Sequence, residues 1–270
     1  MRLFSKQQLV EDIRELAKRG WHRSVKRTLD QRNDGAVGNT LERLLGIEEN
    51  NLPIPNAAEW ELKGQRKHSV SLITLKHAEP CPKGVQLVSK VLLPLYGWSH
   101  PQAGKKYPPT EMSFRSTTNA KSATNRGFKI VVDRDAEKVR FVFDASQVDL
   151  SDLHIAQWLA SVEQRVGLGG IEPEPYWGFR DLEFAIGAKI RNCFYVVADT
   201  KIEDAHEHFK YEKLLILSKF SFEQFLRALE EGHVYVDFDA RTGHNHGTKF
   251  RLAQGHWPDL YESVEPIELS

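Results

Sequence analysis

Opposite charges stand two positions apart in the segment "EWELKGQR" (59–66), which has the alternation of a β-strand. Because side chains in a strand alternate between faces, Glu59, Glu61 and Lys63 would share one face, and apolar residues would take the other. Carboxylates that hold Mg²⁺ beside a lysine can stabilise charge on a phosphoryl group, activate water and assist the leaving oxygen. The segment is therefore compatible with phosphodiester hydrolysis, but taken alone it is a weak signal, because Glu-x-Lys occurs more often on an exposed, solvated strand face.

A magnesium site on this strand would need few protein ligands. Mg²⁺ prefers oxygen ligands and typically uses one or two carboxylates together with water and substrate phosphate. Glu61 and one acidic partner would therefore suffice, and Lys63 would orient the attacking water or stabilise the transition state.

The segment "DFDARTGHNHGTKFR" (237–251) contains the residue types that read base edges in the major groove. Arginine pairs with guanine there, carboxylates accept from cytosine, and asparagine or histidine forms further hydrogen bonds. An alternative interpretation is a surface hairpin with a local Asp–Arg ion pair. Zinc binding by two histidines is disfavoured, since a zinc site needs three or four ligands. The side chains that a hairpin would bring together are Asp237, Asp239, Arg241, His244 and His246.

Two further stretches carry groups that can contact DNA. His77 follows a predicted strand and would lie near Glu61 if the two strands pair; a partly buried loop histidine is the alternative. The segment 113–127 mixes basic residues with hydroxyl and amide side chains, which commonly contact phosphates, and a solvated loop is its alternative. Its basic residues are Arg115, Lys121 and Arg126.

The composition limits the class of protein. The 270 residues include 37 Lys+Arg and 37 Asp+Glu, so any basic groove must be local. With 40% hydrophobic residues, the chain can form one large domain or two small ones. Two cysteines without C-x-x-C spacing favour a reducing compartment. Because no stretch resembles a secretion signal or reaches about 18 apolar residues, we expect a cytoplasmic protein without a membrane span.

The elements that must position these residues alternate irregularly between helix and strand. Helices are predicted after Ser5 as far as Gly20, over 39–46, over 151–165 and from Ser221 to Gly232. Strands are predicted at 59–66, 69–76, 193–199 and 213–219, with hairpins turning at 134–137 and 241–247. The stretch 94–127 reads as long loops with short strands. This order predicts an α/β (α+β) fold with a mixed central sheet flanked by helices, either compact or split into two lobes around a cleft.

The sequence resembles a known family along its length. "GNTLERLLGIEENNLPIPNAAEWELKGQR" is similar to the active-site region of the MvaI/BcnI restriction endonucleases, relatives of the nicking enzyme MutH within the PD-(D/E)xK nuclease superfamily. "TNRGFKIVVDRDAEKVRFVFD", "YWGF", "KIEDAHEHFKYEKLLILSKFS" and "VDFDARTGHNHGTKFRL" follow in the family's order and approximate spacing. The closing "HGTKFR" is the most specific of these segments.

The resemblance implies roles for individual residues. Glu61 would be a metal ligand, Lys63 the catalytic lysine, and Glu42 an accessory acid. A single PD-(D/E)xK nuclease-like domain would span 1–270. Its catalytic lobe would lie mainly in 1–95 and 128–200, and its recognition elements mainly in 96–127 and 232–255. The side chains expected at DNA are His77, Arg115, Lys121, Arg126, Asp237, Asp239, Arg241, His244, His246 and Lys249.

The implied activity is that of a type II restriction endonuclease. It would use Mg²⁺ to cut double-stranded DNA at a short GC-rich site, as a monomer that nicks one strand and then the other. A DNA methyltransferase acting on the same site would be its partner in the cell. A MutH-like strand-nicking repair endonuclease is an alternative with the same metal chemistry.

One position departs from the family pattern, which has an aspartate five residues before the glutamate. Asn56 stands there, and an amide oxygen can coordinate Mg²⁺ but adds no negative charge. Glu59 or Glu42 could supply the missing charge. Alternatively, the residue was altered to hold uncut substrate, or the nuclease is naturally weak or inactive. A sequence-specific DNA-binding protein deficient in cleavage is therefore a second hypothesis.

Overall fold

The computed structural model describes residues 5–25, 35–47 and 59–269. Asn56 lies outside these residues. The helices are α1 (Lys6–Lys18), α2 (Ala36–Leu44), α3 (Leu153–Val166), α4 (Phe179–Ile190) and α5 (Phe222–Glu230). A π-helical segment spans Val88–Tyr96, and 3₁₀ turns span Lys83–Val85, Gln254–His256 and Pro258–Leu260. No helix in the described part of the chain is long and apolar enough to cross a membrane.

The strands occur throughout the chain. They are β1 (His22–Arg23), β2 (Glu61–Arg66), β3 (Leu72–His77), β4 (Trp98–Ser99), β5 (Met112–Thr118), β6 (Arg126–Asp133), β7 (Lys138–Val148), β8 (Tyr176–Gly178), β9 (Asn192–Glu203), β10 (His206–Phe220), β11 (Val234–Arg241), β12 (His244–Asn245), β13 (Lys249–Ala253) and β14 (Tyr261–Glu268).

These strands form three sheets, and the predicted α+β class is confirmed. The first sheet has the order β1-β10-β9-β2, with β14 on β10. It is mixed, because β2 pairs with β9 in parallel whereas its other pairs are antiparallel. The second sheet has the order β3-β13-β11-β5-β4, with β12 on β11, and the third has the order β6-β7-β8.

The chain divides into two compact units. The first comprises 1–73, 186–224 and 253–270, and the second comprises 74–185 and 225–252. In the first unit, one core buries apolar residues of α1, α2 and β2, such as Leu9, Leu41 and Leu62. The second unit has a phenylalanine-rich core, which contains Phe114, Phe128, Phe141 and Phe238. Glu61 and Lys63 belong to the first unit, and the 237–251 segment belongs to the second.

Local signals explain where several predicted elements begin. Ser5 caps α1: its Oγ accepts from the Gln8 amide, and the Gln8 side chain accepts from the Ser5 amide. This reciprocal capping box satisfies two amides at the helix start, and α1 begins after Ser5 as predicted. α3 instead begins after Asp152, whose carboxylate accepts from the His154 amide at 2.8 Å. The hairpin between β6 and β7 turns at the predicted residues 134–137.

Two sequence expectations about strands need correction. β3 does not pair with β2 but lies beside β13 in the second sheet, so His77 is not brought to Glu61 by strand pairing. Residues 112–118, expected in a long loop with short strands, form β5, which pairs with β11 over six residues. The strand was hidden because Ser116 and Thr118 face inward and hydrogen-bond to each other at 3.1 Å.

Candidate functional site

The strand that carries the charged tripeptide enters the core of the first unit. Its neighbours Trp60 and Leu62 are buried, and the Trp60 ring lies edge-on to Phe194 at 4.8 Å. Glu61 is the first residue of β2, stands opposite Cys193 of β9, and is only 1% exposed. Glu61 therefore does not lie on a solvated strand face.

Glu61 and Lys63 share one face of β2, as the alternation predicts. Lys63 Nζ lies 2.9 Å from Glu61 Oε1. Burial lowers the pKa of Lys63. The charge of Glu61 and the hydrogen bond between Lys63 and Glu61 raise this pKa by more, so it lies above its usual value. Lys63 is therefore an ammonium at neutral pH.

A second lysine approaches the same carboxylate. Lys189, in the last turn of α4, has its Nζ 3.7 Å from Glu61 Oε1. Sequence reasoning missed this residue because α4 was not predicted. The only signal was a single lysine closing the apolar stretch "FAIGAKI". Glu61 thus faces two cations, one from its own strand and one from a helix far along the chain.

Glu42 lies on α2, which packs directly on β2. The contact is close at Gly64, where an added Cβ would lie 2.7 Å from Val37 Cγ1 and 3.0 Å from the Gly38 amide nitrogen. The Glu42 carboxylate is largely buried, and its charge is one of the influences that raise the pKa of Lys63. The helix therefore brings a second acid to the electrostatic surroundings of Lys63.

Glu59 is placed differently from its expected position. It lies in an exposed turn before β2, so it does not extend the strand face shared by Glu61 and Lys63. Its role in metal binding stays a prediction, as does that of Asn56, which lies outside the described residues.

Glu61 offers part of the donor set that a magnesium ion needs. Glu61 Oε2 is buried and has no hydrogen-bond partner among the described residues. An unsatisfied carboxylate oxygen is the ligand that Mg²⁺ prefers, and one or two carboxylates are enough when water and phosphate complete the shell. Within the described ranges, no group of three or more His, Cys, Asp or Glu residues could hold a metal by itself. The residues fit an ion that relies on substrate and water ligands.

The 237–251 segment projects polar side chains from one face of β11, where burial alternates strictly. Asp239 pairs with Arg115 of β5 at 2.8 Å. Asp237 accepts from Thr117 at 2.8 Å and from Arg251 at 3.3 Å. These contacts place carboxylates and a guanidinium side by side on the surface formed by β5 and β11.

Arg241 is more enclosed than the other polar residues of β11. It pairs with the buried Glu111 at 3.0 Å, and its guanidinium lies 4.7 Å from the centre of the Tyr107 ring. A buried carboxylate needs such a partner, so Arg241 has a structural task whatever it contacts outside the protein.

The histidines of this segment lie at its turn. The exposed rings of His244 and His246 meet edge-on at 4.2 Å. His77 approaches the same turn from β3, since a Cβ added at Gly247 would lie 3.3 Å from His77 Nδ1. Lys249 stands opposite Asp237 in the β11–β13 register. The structure therefore groups His77 with this segment in the second unit.

The other two basic residues expected at DNA lie elsewhere in the second unit. Lys121 is exposed and packs beside Gly232 at the turn after α5. The guanidinium of Arg126 lies over two indole rings, 4.3 Å from the centre of Trp98 and 5.5 Å from that of Trp158. Their contacts with phosphate stay predictions.

Comparison with known proteins gives a consistent family and fold. A sequence profile described as the MvaI/BcnI restriction endonuclease family matches residues 10–261. No curated protein matches the sequence. The structure is similar to that of the restriction endonuclease MvaI with its cognate DNA substrate, at 22% identity and a TM-score of 0.71, covering 99% of this chain and 100% of that chain. For MvaI in the absence of DNA, the TM-score is 0.55 at the same identity and coverage.

Proposed function

Because the chain belongs to the MvaI/BcnI restriction endonuclease family, we propose that it is a sequence-specific type II endonuclease that hydrolyses double-stranded DNA. The observation that carries the proposal is the buried Glu61 carboxylate, which binds Lys63 through Oε1 and leaves Oε2 unsatisfied among the described residues. An oxygen ligand and an ammonium side by side suit charge stabilisation at a scissile phosphate.

Mg²⁺ is the cofactor that we propose, and when bound it supplies Lewis acidity toward the phosphate and a lower pKa for water. Glu61 Oε2 would hold the ion, with Glu42 and Asn56 as further oxygen donors. Lys63 acts as a cation, because its raised pKa keeps it protonated and unable to accept a proton at neutral pH. It would orient the attacking water and stabilise negative charge on the phosphoryl oxygens.

Recognition would come from the second unit. Arg115 and Asp239 combine a guanidinium and a carboxylate in one pair, the groups that distinguish guanine and cytosine in the major groove. His77, His244 and His246 add hydrogen-bonding groups at the adjacent turn. We propose a short GC-rich site, and we assign phosphate contacts to Lys121, Arg126 and Lys249.

We propose that the protein acts as a monomer that nicks the two strands in succession. A DNA methyltransferase in the same cell would modify the same site. A MutH-like nicking enzyme would use the same residues. The products distinguish these modes, since a sequential cutter converts nicked circles to linear DNA and a nicking enzyme accumulates nicked circles.

A second candidate function is sequence-specific DNA binding without cleavage. Two observations favour it: Asn56 carries no charge, and Lys189 adds a cation 3.7 Å from Glu61 Oε1. Both make the site more positive than a pair of carboxylates would, and a more positive site binds Mg²⁺ less tightly.

Plasmid cleavage with Mg²⁺ by the purified protein and its Asn56→Asp variant separates the two candidates. Cleavage by both proteins shows that Asn56 is compensated, and cleavage by the aspartate form alone shows that it is not. If neither protein cuts, the nuclease proposal fails. Gel-shift binding in Ca²⁺, measured in parallel, then shows whether a DNA-binding function survives.

A further inference from the structure

The second unit contains a cavity that the proposed cleavage chemistry does not use. It has a volume of about 660 Å³, within the range of roughly 300–1,000 Å³ that is usual for small-molecule sites. It lies between α3 and the short strand β4. Its principal lining residues are Trp98, Arg126, Gln157, Trp158, Gln164 and Arg165.

The charge of the cavity is positive. Arg126 and Arg165 line it, and the described residues that line it include no carboxylate. Among the described residues, Arg165 donates to neutral oxygens: the carbonyls of Ser161 and Pro94 at 3.0 Å, the Ser161 hydroxyl at 3.0 Å and the Gly97 carbonyl at 3.5 Å. Neither guanidinium is within ion-pairing distance of a carboxylate among the described residues.

Arg126 is the more strongly desolvated of the two cations. Its Nε is buried and has no hydrogen-bond partner in the described part of the chain. Burial lowers its pKa more than the charge of Asp152, the N-cap of α3, raises it. A buried, unsatisfied guanidinium donor is costly unless an anion accepts from it.

The cavity also offers aromatic surface. The indoles of Trp98 and Trp158 meet edge-on at 6.4 Å, and both line the cavity. The Arg126 guanidinium lies over both rings. Indoles and guanidinium planes both stack on flat rings, and indoles stack on nucleobases irrespective of sequence. Two cations beside two indoles thus match a ligand that joins a flat ring to a negative charge.

A smaller cavity continues from the same wall. It has a volume of about 290 Å³ and shares Trp98 and Arg126 with the larger one. Arg115, Thr124 and Asn125 line it, and Arg115 is the partner of Asp239 in the proposed recognition surface. Arg126 therefore separates a polar cavity at that surface from an aromatic one beside α3.

We propose that the Trp98–Arg126–Trp158 cavity binds a nucleotide, with the base against the wall that Trp98 forms with the Arg126 guanidinium lying over it, and the phosphate at the guanidinium groups. The nucleotide is either free or an unstacked nucleotide of a bound strand; the second source rests on the proposed DNA binding. This site is additional to the metal site on β2 and needs only residues of the second unit.

Calorimetric titration with three probes tests the chemistry of the site: dGMP, deoxyguanosine and inorganic phosphate. If base and phosphate are both recognised, dGMP binds at least about tenfold more tightly than either fragment. A short single-stranded oligonucleotide carrying one 2-aminopurine tests whether the site binds a nucleotide of a strand. The fluorescence of 2-aminopurine changes when the base stacks on indole.

Charge insertion identifies the cavity as the site. Gln157→Glu and Gln164→Glu are nearly isosteric changes on exposed positions of α3, and each should weaken nucleotide binding about tenfold by repelling the phosphate. Gln7→Glu, also exposed and helical but in α1, is the matched control and should leave binding unchanged.

Each outcome decides the proposal. Weakened dGMP binding in the α3 variants identifies a free nucleotide, and weakened binding of the oligonucleotide alone identifies a strand nucleotide. The site is overturned if dGMP binds no more tightly than phosphate, or if both α3 variants leave dGMP binding unchanged, provided that both variants also leave oligonucleotide binding unchanged. If the wild-type protein cuts plasmid but binds neither dGMP nor the oligonucleotide, this site is overturned and the nuclease proposal stands.

Discussion

Gly64 of β2 lies against Val37 of α2 with no room for a side chain between them. A Cβ at position 64 would be 2.7 Å from Val37 Cγ1 and 3.0 Å from the backbone nitrogen of Gly38. The contact seats α2, and with it Glu42, on the strand that carries Glu61 and Lys63. The geometry of the candidate active site thus depends on a residue that has no chemistry of its own.

Gly64→Ala should destabilise the protein by about 1–3 kcal/mol, since the helix must move away from the strand. Denaturant unfolding measures the change. Gly255→Ala is the control in the same unit, because an added Cβ there meets no atom of the described residues within 4 Å; it should change stability by less than about 0.5 kcal/mol. Equal effects of the two substitutions would contradict the close packing of α2 on β2.

Lys63→Gln should reduce plasmid cleavage at least about 100-fold in whichever background cuts, wild type or Asn56→Asp. The reason is the loss of the ammonium that lies 2.9 Å from Glu61 Oε1. DNA binding in Ca²⁺ should change much less, since recognition is assigned to the second unit. Lys67→Gln is the control: Lys67 is exposed and pairs with Glu212 at the surface. Retained cleavage in Lys63→Gln would remove this lysine from the mechanism.

The raised pKa of Lys63 predicts how its contribution to stability varies with pH. A group whose pKa is higher in the folded state stabilises fully below its unfolded pKa, and loses that contribution as the pH rises through the folded value. The difference in free energy of unfolding between wild type and Lys63→Met should therefore be constant up to about pH 10 and decline above roughly 10.4, the ordinary lysine value. Guanidinium unfolding at about pH 8, 10 and 11 checks this, and a decline already below about pH 9 would contradict it.

The parts of the fold that could be predicted are those with a local signal. Ser5 and Gln8 form the capping box of α1, and the alternation around Phe238 identifies β11. β5 escaped prediction because two of its inward-facing residues, Ser116 and Thr118, are hydroxyls that satisfy each other, so the apolar period is missing.

The same distinction applies to the candidate site. The Glu61–Lys63 contact follows from strand alternation, which is a local property. The approach of Lys189 depends on the parallel pairing of β2 with β9 and on the packing of α4, and neither leaves a pattern in the residues themselves. Pairing between distant strands is determined by the complete core, so this lysine emerges only from the three-dimensional structure.

Lys189→Met should tighten Mg²⁺ binding by about tenfold, because it removes a cation 3.7 Å from the Glu61 carboxylate. Calorimetric titration with Mg²⁺ in the absence of DNA measures this without relying on cleavage. Lys219→Met, which removes an exposed cation paired with Glu262 in the same unit, should have no effect. Unchanged metal affinity with weaker DNA binding would instead assign Lys189 to phosphate contact.

Substitution of two arginines of the proposed recognition surface should affect different properties. One substitution should lower stability, and the other should alter base recognition. Arg241→Gln leaves the buried Glu111 carboxylate without its partner and should cost about 1–3 kcal/mol of stability. Arg115→Gln removes a half-exposed guanidinium and should change stability by less than about 0.5 kcal/mol.

Arg115→Gln should nevertheless relax discrimination between base pairs by about 1–3 kcal/mol, which selection of bound or cut sequences from a randomised DNA library measures. Because both variants lose one arginine from the same surface, each serves as the control for the other. A stable Arg115→Gln protein that selects the same sequences as the wild type would show that the Arg115–Asp239 pair is a surface ion pair without a role in base reading.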